Sequence, residues 1–284
     1  MSLSNPSDWD RTAAEYAQIP IQGPMYIPCT RMLEAMNNAR SFSTASTTLD
    51  IGSGPGTVAT LLFKNYGKHI PQTAKLIATD FSQGMVEAAR MRKELEANSE
   101  DVHSAGCWAR LELDVMDAQN LEKIATGSVS HITGSMVYFM LPDHKKGLSE
   151  AHRVLSDDGV FACTSWAKVG WMEFLTQAAC KASKKTAPSV ALPTIWKTTE
   201  GIKGEMEAAG FRGVHTEYVE ALWHIPEPKK AVVAFTRSSN PGTEMIIKGL
   251  SEEELAVCRD EWVKLVEENG NVCKGIAVLG LGRK

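Results

Sequence analysis

The chain has no basic excess. Its 30 Lys and Arg face 34 Asp and Glu, for a formal net charge of −4. That offers no electrostatic footprint for a polyanion, so no nucleic-acid partner is expected. It has no paired cysteine pattern either. Cys29, Cys107, Cys163, Cys180, Cys258 and Cys273 are scattered, with no CxxC and no Cys/His ligand spacing. No metal is expected, and the thiols read as reduced and buried. A long apolar run and a basic-plus-apolar leader are both missing, since Met1 to Asp10 is polar. The expectation is a soluble, cytoplasmic protein without a membrane partner. There is no internal repeat and no low-complexity segment. At 284 residues and 43% hydrophobic content, the chain suits one α/β domain with an elaborated second half.

What is present centres on Thr47-Thr48-Leu49-Asp50-Ile51-Gly52-Ser53-Gly54-Pro55-Gly56-Thr57. The apolar run at Leu49 to Ile51 predicts a buried parallel strand. Three glycines two apart end it, and a helix follows with Val58, Leu61 and Leu62 on one face. A strand, a glycine turn and a helix N-terminus together form a seat for a nucleotide-like ligand. A glycine lets backbone approach a ligand because no Cβ intervenes.

The rhythm continues. Lys75 to Thr79 predicts a second strand ending in Asp80, and Ser82 opens a helix to about Ala97. Asp80 therefore stands at a strand's carboxyl end, 24 positions after Gly56, where such sheets hold a ribose-reading acid. Residues 98–109 read as a polar loop. A third strand spans Ala109 to Asp114, followed by a short helix near residues 115–121. Asp117 there serves either as an N-cap or as an acceptor for an adenine amino group. Val129 to Gly134 is the fourth strand, a helix starts at Pro142-Asp143, Asp157-Asp158-Gly159 is a turn, and Val160 to Trp166 is the fifth strand. Strands alternating with helices imply a doubly wound parallel sheet.

Near the N-terminus, Pro20, Pro24 and Pro28 predict broken structure, with a short helix from about Cys29 to Asn38. Beyond residue 166 the rhythm changes. Gly170 to Ser183 predicts a helix, and an irregular piece with Pro188, Pro193 and Trp196 follows. Thr199 to Ala209 is helical and stops at Gly210. Val214 to Leu222 is a strand. Ser251-Glu252-Glu253-Glu254 is a capping box, and residues 275–280 form a last strand.

Four motifs in order resemble the class I S-adenosylmethionine-dependent methyltransferases. They are Leu49-Asp50-Ile51-Gly52-Ser53-Gly54-Pro55-Gly56, Ala78-Thr79-Asp80-Phe81-Ser82-Gln83-Gly84-Met85, Asp117-Ala118-Gln119-Asn120-Leu121 and Arg153-Val154-Leu155-Ser156-Asp157-Asp158-Gly159. Trp9 and Tyr16 fit more loosely. The resemblance covers residues 45–166. It implies a doubly wound, Rossmann-like α/β sheet of seven strands in the order 3-2-1-4-5-7-6, strand seven antiparallel, with helical cap insertions. It implies S-adenosylmethionine as cofactor and a set of residues to hold it. Gly52, Gly54 and Gly56 would pack against its methionine portion and ribose. Asp50 would lie near its amino group, and Asp80 would bind the ribose hydroxyls. Asp117 and Ala118 would read the adenine, with Phe81, Met85, Ser135 and Tyr16 completing the seat. Residues 1–284 would be one methyltransferase domain. Within it, 45–166 is the cofactor core, and 1–26, 167–198 and 223–270 cap an acceptor site.

Tyr138, Met140, Trp166, Trp171, Phe174 and Trp196 lie at or after the ends of strands four and five and are the expected acceptor wall. His131 falls inside a strand, and His144 and His152 lie on a helix, all readable as structural. His224, after strand six, is the candidate base. The resemblance extends loosely to fungal natural-product enzymes through Ser165-Trp166 and the long cap. The expected reaction is methyl transfer to an oxygen, nitrogen or sulfur atom of a small molecule, in secondary metabolism. Two other readings share the glycine turn: a non-catalytic cofactor-binding protein and a nicotinamide-dependent oxidoreductase. Against the second, the glycines run GxGxG, and Pro142 stands where a YxxxK lysine would follow Tyr138.

Overall fold

The computed structural model describes residues 5–186, 192–237 and 240–284. Seven strands form one sheet in the order β3-β2-β1-β4-β5-β7-β6. They are β1 (Thr47–Ile51), β2 (Lys75–Asp80), β3 (Leu111–Val115), β4 (Val129–Ser135), β5 (Leu155–Val169), β6 (Arg212–His224) and β7 (Val272–Arg283). The first five pair in parallel, and β7 lies antiparallel between β5 and β6. Order and direction match the expectation. Every residue of β1 and β4 is buried, as a central parallel strand covered on both faces requires. The last reversal is tight. Gly270 and Asn271 take φ of +68° and +61°, and the chain turns from a helix directly into β7. Asn is among the residues that tolerate this region.

The helices are α1 (Pro6–Tyr16), α2 (Tyr26–Ala39), α3 (Thr57–Tyr66), α4 (Gln83–Glu96), α5 (Val102–Arg110), α6 (His144–Val154), α7 (Gly170–Ser183), α8 (Thr199–Ala208), α9 (Pro228–Arg237), α10 (Pro241–Ile247) and α11 (Glu252–Glu268). Several depart from expectation. Asn5 caps α1 with its side chain, and Pro6 begins the helix; at that position the missing N–H costs nothing. For the same reason Pro28, in the first turn of α2, does not break it. Residues 98–109 are not a loop. Asp101 accepts from the amides of His103 and Ser104, and α5 then buries Cys107 and Trp108. Residues 115–121 form no helix, only a turn with a bridge between Asp117 and Asn120. Asp157-Asp158-Gly159 lies inside β5, where Val129 pairs with Leu155 but His131 with Val160. Residues 156–159 absorb that shift. Pro188 lies outside the described residues.

One group of four helices and the N-terminal helix add to the cover of the sheet. α7, α9, α10 and α11 pack on one another. The Trp262 indole N–H donates to the Trp171 carbonyl at 3.1 Å, and Arg259 Nε donates to Thr236 Oγ1 at 2.8 Å. These bonds tie α11 to α7 and α9. Meanwhile α1 packs on α4 and reaches α10 through Arg11 and Glu244, 3.8 Å apart. It thus spans from the parallel half of the sheet to the helical layer. Among the described residues, no helix is long and apolar enough to cross a membrane.

Candidate functional site

The three glycines after β1 all have positive φ, +64° at Gly52, +53° at Gly54 and +88° at Gly56, but their surroundings differ. A Cβ on Gly52 would stand 2.2 Å from Val137 Cγ2, and one on Gly56 3.0 Å from the Trp108 ring. Those two positions are small because neighbouring side chains occupy the space. At Gly54 a Cβ would meet nothing within 4 Å. Of the three, Gly54 is the position that leaves room for a ligand.

That turn is tied to the end of β2. The Gly54 amide donates to Asp80 Oδ2 and the Ser82 amide to Asp80 Oδ1, both at 2.9 Å. Burial raises the Asp80 carboxyl above its ordinary range, its backbone donors oppose this, and Asp10 adds to it. A carboxylate has about four lone-pair sites, so two accepted amides leave capacity for two further donors. Asp50, at the centre of the sheet, is buried and accepts from Thr133 Oγ1 at 2.7 Å. Its Oδ2 finds no partner among the described residues. Burial pushes its carboxyl up to about 7, against the Thr133 bond and with help from Asp80.

One large cavity, about 1570 Å³, opens along the carboxyl ends of the strands. Gly52, Gly54, Asp80, Phe81, Met85, Asp117, Ala118, Ser135 and Tyr16 line one part of it. Asp117 shapes its turn by accepting from the Gln119 amide at 2.8 Å. It is therefore a turn residue, not a helix cap, and its side chain is exposed. The Ser135 hydroxyl lies 2.8 Å from Thr164 Oγ1 and 3.4 Å from Cys29 Sγ. Tyr16 closes the region from α1, its ring edge-on to Trp9 at 5.9 Å. Burial, with Cys29 and Asp80 nearby, pushes its phenol up to about 12. Asp50 and Gly56 do not line the cavity; one is held within the sheet and the other is covered by Trp108.

Met140, Trp166, Trp171 and His224 line the other part. The remaining wall candidates need correction. Tyr138 is fully buried, its ring stacked on Trp196 at 5.9 Å and edge-on to Phe161 at 5.4 Å. Trp196 is buried as well, with His144 against its edge. Tyr138 and Trp196 therefore form core on the side away from the cavity. Phe174 packs partly buried against the core and does not line the cavity. His131, His144 and His152 are held by structure. His131 is buried between Ser130 and the Arg40 carbonyl and is pushed down to about 4 by burial. His144 bonds Glu205 at 2.9 Å, and His152 lies edge-on to Phe211.

Several lining residues were not anticipated. Met136, directly after β4, holds φ of +58°, a conformation that costs a non-glycine residue about 1–2 kcal/mol. Its amide donates to the Thr164 carbonyl at 3.0 Å, which holds the strained residue in place. Local backbone strain at a cavity is a frequent mark of a working site. Trp223 and Phe235 also line the cavity. A signal for Phe235 existed in the apolar spacing Ala231, Val232, Phe235, which predicts α9; Trp223 lies at the end of β6.

Known proteins support a family. A methyltransferase domain family matches residues 49–163. The methyltransferase ucsB of Acremonium sp is 33% identical over 219 residues, which are 77% of this chain and 73% of that one. Among solved structures, a protein described as a putative sarcosine dimethylglycine methyltransferase from Galdieria sulphuraria superposes with a TM-score of 0.55. It is 16% identical, with 98% of each chain covered. Haemonchus contortus phospholethanolamine N-methyltransferase 2, solved with phosphomonomethylethanolamine and S-adenosylhomocysteine, gives a TM-score of 0.50 at 18% identity. This chain spans about half of that protein, 52%, using 89% of its own length. The nicotinamide oxidoreductase and the non-catalytic binder, open on the residues alone, give way to this evidence. Glycine turn, strand-end acid, sheet order and relatives agree that the chain belongs to the class I S-adenosylmethionine-dependent methyltransferases.

Proposed function

We propose that the chain moves the methyl group of S-adenosylmethionine to an oxygen, nitrogen or sulfur atom of a small molecule, in secondary metabolism, without a nucleic-acid partner. One observation carries this reading: the Gly54–Asp80–Asp117 edge and the Trp166–Trp171 wall line the same cavity. Its volume exceeds the roughly 300–1,000 Å³ typical of a site for one small ligand. Two ligands side by side fit it better than one. A fungal relative at 33% identity supports the setting.

The residues suit the cofactor. Asp80 keeps two acceptor positions for a pair of ribose hydroxyls, and Gly54 leaves room for close approach. Asp117 and Ala118 bound the adenine end, and Phe81, Met85, Ser135 and Tyr16 enclose the rest. The described parts of the 1–26, 167–198 and 223–270 segments, without residues 1–4, 187–191 and 238–239, close over the acceptor. The bound cofactor supplies an electrophilic methyl carried on a sulfonium. What the chain must do is hold the acceptor atom in line with that methyl and keep water out; such positioning carries most of the effect. A cation that loses its charge in the transition state is not opposed by a dry setting, and an aromatic lining holds the cation while it is bound. A hydroxyl acceptor would give its proton to His224, the one histidine among the described lining residues. A thiol or amine needs less help. Incubation with methyl-labelled S-adenosylmethionine and a panel of phenols, thiols and amines tests the reading. Labelled product and equimolar S-adenosylhomocysteine are expected. Calorimetry that finds S-adenosylhomocysteine unbound would overturn it.

A further inference from the structure

The wall of the acceptor half is a continuous series of rings. Trp166 and Trp171 lie 5.1 Å apart between centroids at 84°, Trp171 and Trp223 5.9 Å at 89°, and Trp223 and Phe235 6.2 Å at 75°. All four line the cavity. The series starts on β5, in register with Ala277 of β7, crosses α7 and the end of β6, and finishes on α9. It is backed by Trp262, fully buried, whose ring lies 6.5 Å from Trp223 and 6.2 Å from Phe235. The Trp262 indole N–H also fixes the Trp171 backbone. The wall is therefore held in place before any ligand arrives, which lowers the ordering cost of binding.

We infer that the acceptor is a planar, polycyclic aromatic molecule lying along this wall, with its methylated atom at the Trp166 end. This rests on the proposed reading of the cavity. Trp223 and Phe235 are half-buried, and Trp166 and Trp171 are 8% and 6% exposed, so the aromatic surface open to a ligand lies chiefly on Trp223 and Phe235, which a ring meets stacked or edge-to-face. A flat π system gains from both arrangements beyond the area it buries, whereas a saturated body of equal size gains area burial alone. The orientation follows from where the wall begins. Trp166 adjoins the strand ends that carry Ser135 and Met136, on the cofactor side of the cavity, while Phe235 stands on the helical layer. The cavity volume leaves space for such a body beside the cofactor.

The test is calorimetric, with S-adenosylhomocysteine saturating and 9-phenanthrol as probe. Its perhydro counterpart, with the same skeleton but neither planar nor aromatic, is the comparison. The wild type is expected to bind 9-phenanthrol at least about tenfold more tightly than the saturated alcohol. Trp223→Leu and Phe235→Leu should each cut that preference to about threefold or less. Trp223→Phe, which keeps a ring, should retain most of it. In all three, S-adenosylhomocysteine affinity should stay within about twofold, which also reports on folding. Equal binding of the two alcohols by the wild type, or an undiminished preference in both leucine variants, would overturn the inference while leaving methyl transfer intact. Failure of the wild type to bind S-adenosylhomocysteine would instead remove the reading beneath it.

Discussion

Asp10 accepts a 2.6 Å hydrogen bond from the Ser82 hydroxyl, and the same oxygen accepts the Gly84 amide at 2.8 Å. Ser82 caps α4, and its own amide donates to Asp80. The N-terminal helix is thus linked through one serine to the acid proposed to hold the ribose. Gly84 permits the contact, because a Cβ there would stand 2.9 Å from Asp10 Cα. Hydrogen bonds to a charged acceptor contribute about 1.5–3 kcal/mol, and Asp10 is exposed, so the lower end applies. Asp10→Ala should release α1 without unfolding the sheet. Hydrogen exchange in residues 6–16 should rise at least about tenfold, and S-adenosylhomocysteine affinity should fall several-fold as Trp9 and Tyr16 leave the cavity. Unchanged exchange in that helix would show that the link does not hold it.

Asp80→Ala removes the proposed acceptor of the two ribose hydroxyls. At about 1.5–3 kcal/mol for bonds to a charged group, cofactor affinity should fall about 10- to 150-fold. Asp80→Asn, which retains one carbonyl oxygen, should lie between. The variants are to be compared by calorimetry with S-adenosylhomocysteine. A wild-type dissociation constant in folded Asp80→Ala would refute the role.

The two outer glycines should behave differently from the middle one. Gly52→Ala forces a methyl against Val137 and should lower thermal stability by several kcal/mol, in the range of strained, overpacked substitutions at about 1–3 kcal/mol plus the backbone cost. Gly54→Leu meets no protein atom at its Cβ. It should lose only about 1–2 kcal/mol from its positive φ, yet abolish cofactor binding. Melting curves and calorimetry on the pair decide the matter; normal binding by Gly54→Leu would move the cofactor seat elsewhere.

Asp50 predicts a pH dependence. Its folded carboxyl titrates near about 7, against an ordinary value of 3.8. Between these values the folded state binds more protons than the unfolded one, so stability falls as pH rises. The loss begins near pH 4 and is complete above about pH 7. Asp50→Asn cannot ionise and should lack this slope. Chemical denaturation from pH 4.5 to 8 should show wild type losing stability relative to the variant. Parallel profiles would mean that Asp50 is ionised at no such cost.

For the acceptor side, Trp166→Ala and Trp171→Ala should raise the acceptor KM or lower kcat. Cofactor affinity should remain within a few-fold. If both instead lose S-adenosylmethionine affinity and turn over normally at saturating cofactor, the tryptophans support the cofactor region, and the acceptor lies elsewhere.

The parallel half of the fold was legible because its signals are local. Short apolar or alternating stretches, each followed by glycine or an acid, mark β1 to β4 along the chain. The candidate cofactor residues share that legibility, since a parallel sheet brings every strand's carboxyl end to one edge. Where local signals misled, a neighbour supplied the reason. The polar look of residues 98–109 hid a helix whose Cys107 and Trp108 are buried under α3 and the glycine turn. Pro28 resembled a breaker, but it stands in a first turn where no N–H is needed.

By itself, the sequence determined the alternating strands, the glycine turn and the place of Asp80 at a strand end, because these follow from chain order; the methyl donor and the full strand order came with the family resemblance of its motifs. Only the tertiary structure decided which side of each element faces the cavity. It turned Tyr138 and Trp196 into core and left Trp166 and Trp171 at the wall. It separated Gly54, which faces open space, from Gly52 and Gly56, which face Val137 and Trp108. It also brought Trp223 and Phe235 beside Trp171. The physical reason is that an aromatic near a strand end has the same composition and local spacing whether it points inward or outward. Its direction is set by what packs behind it, and here that is Trp262 on a helix 91 residues further along the chain than Trp171.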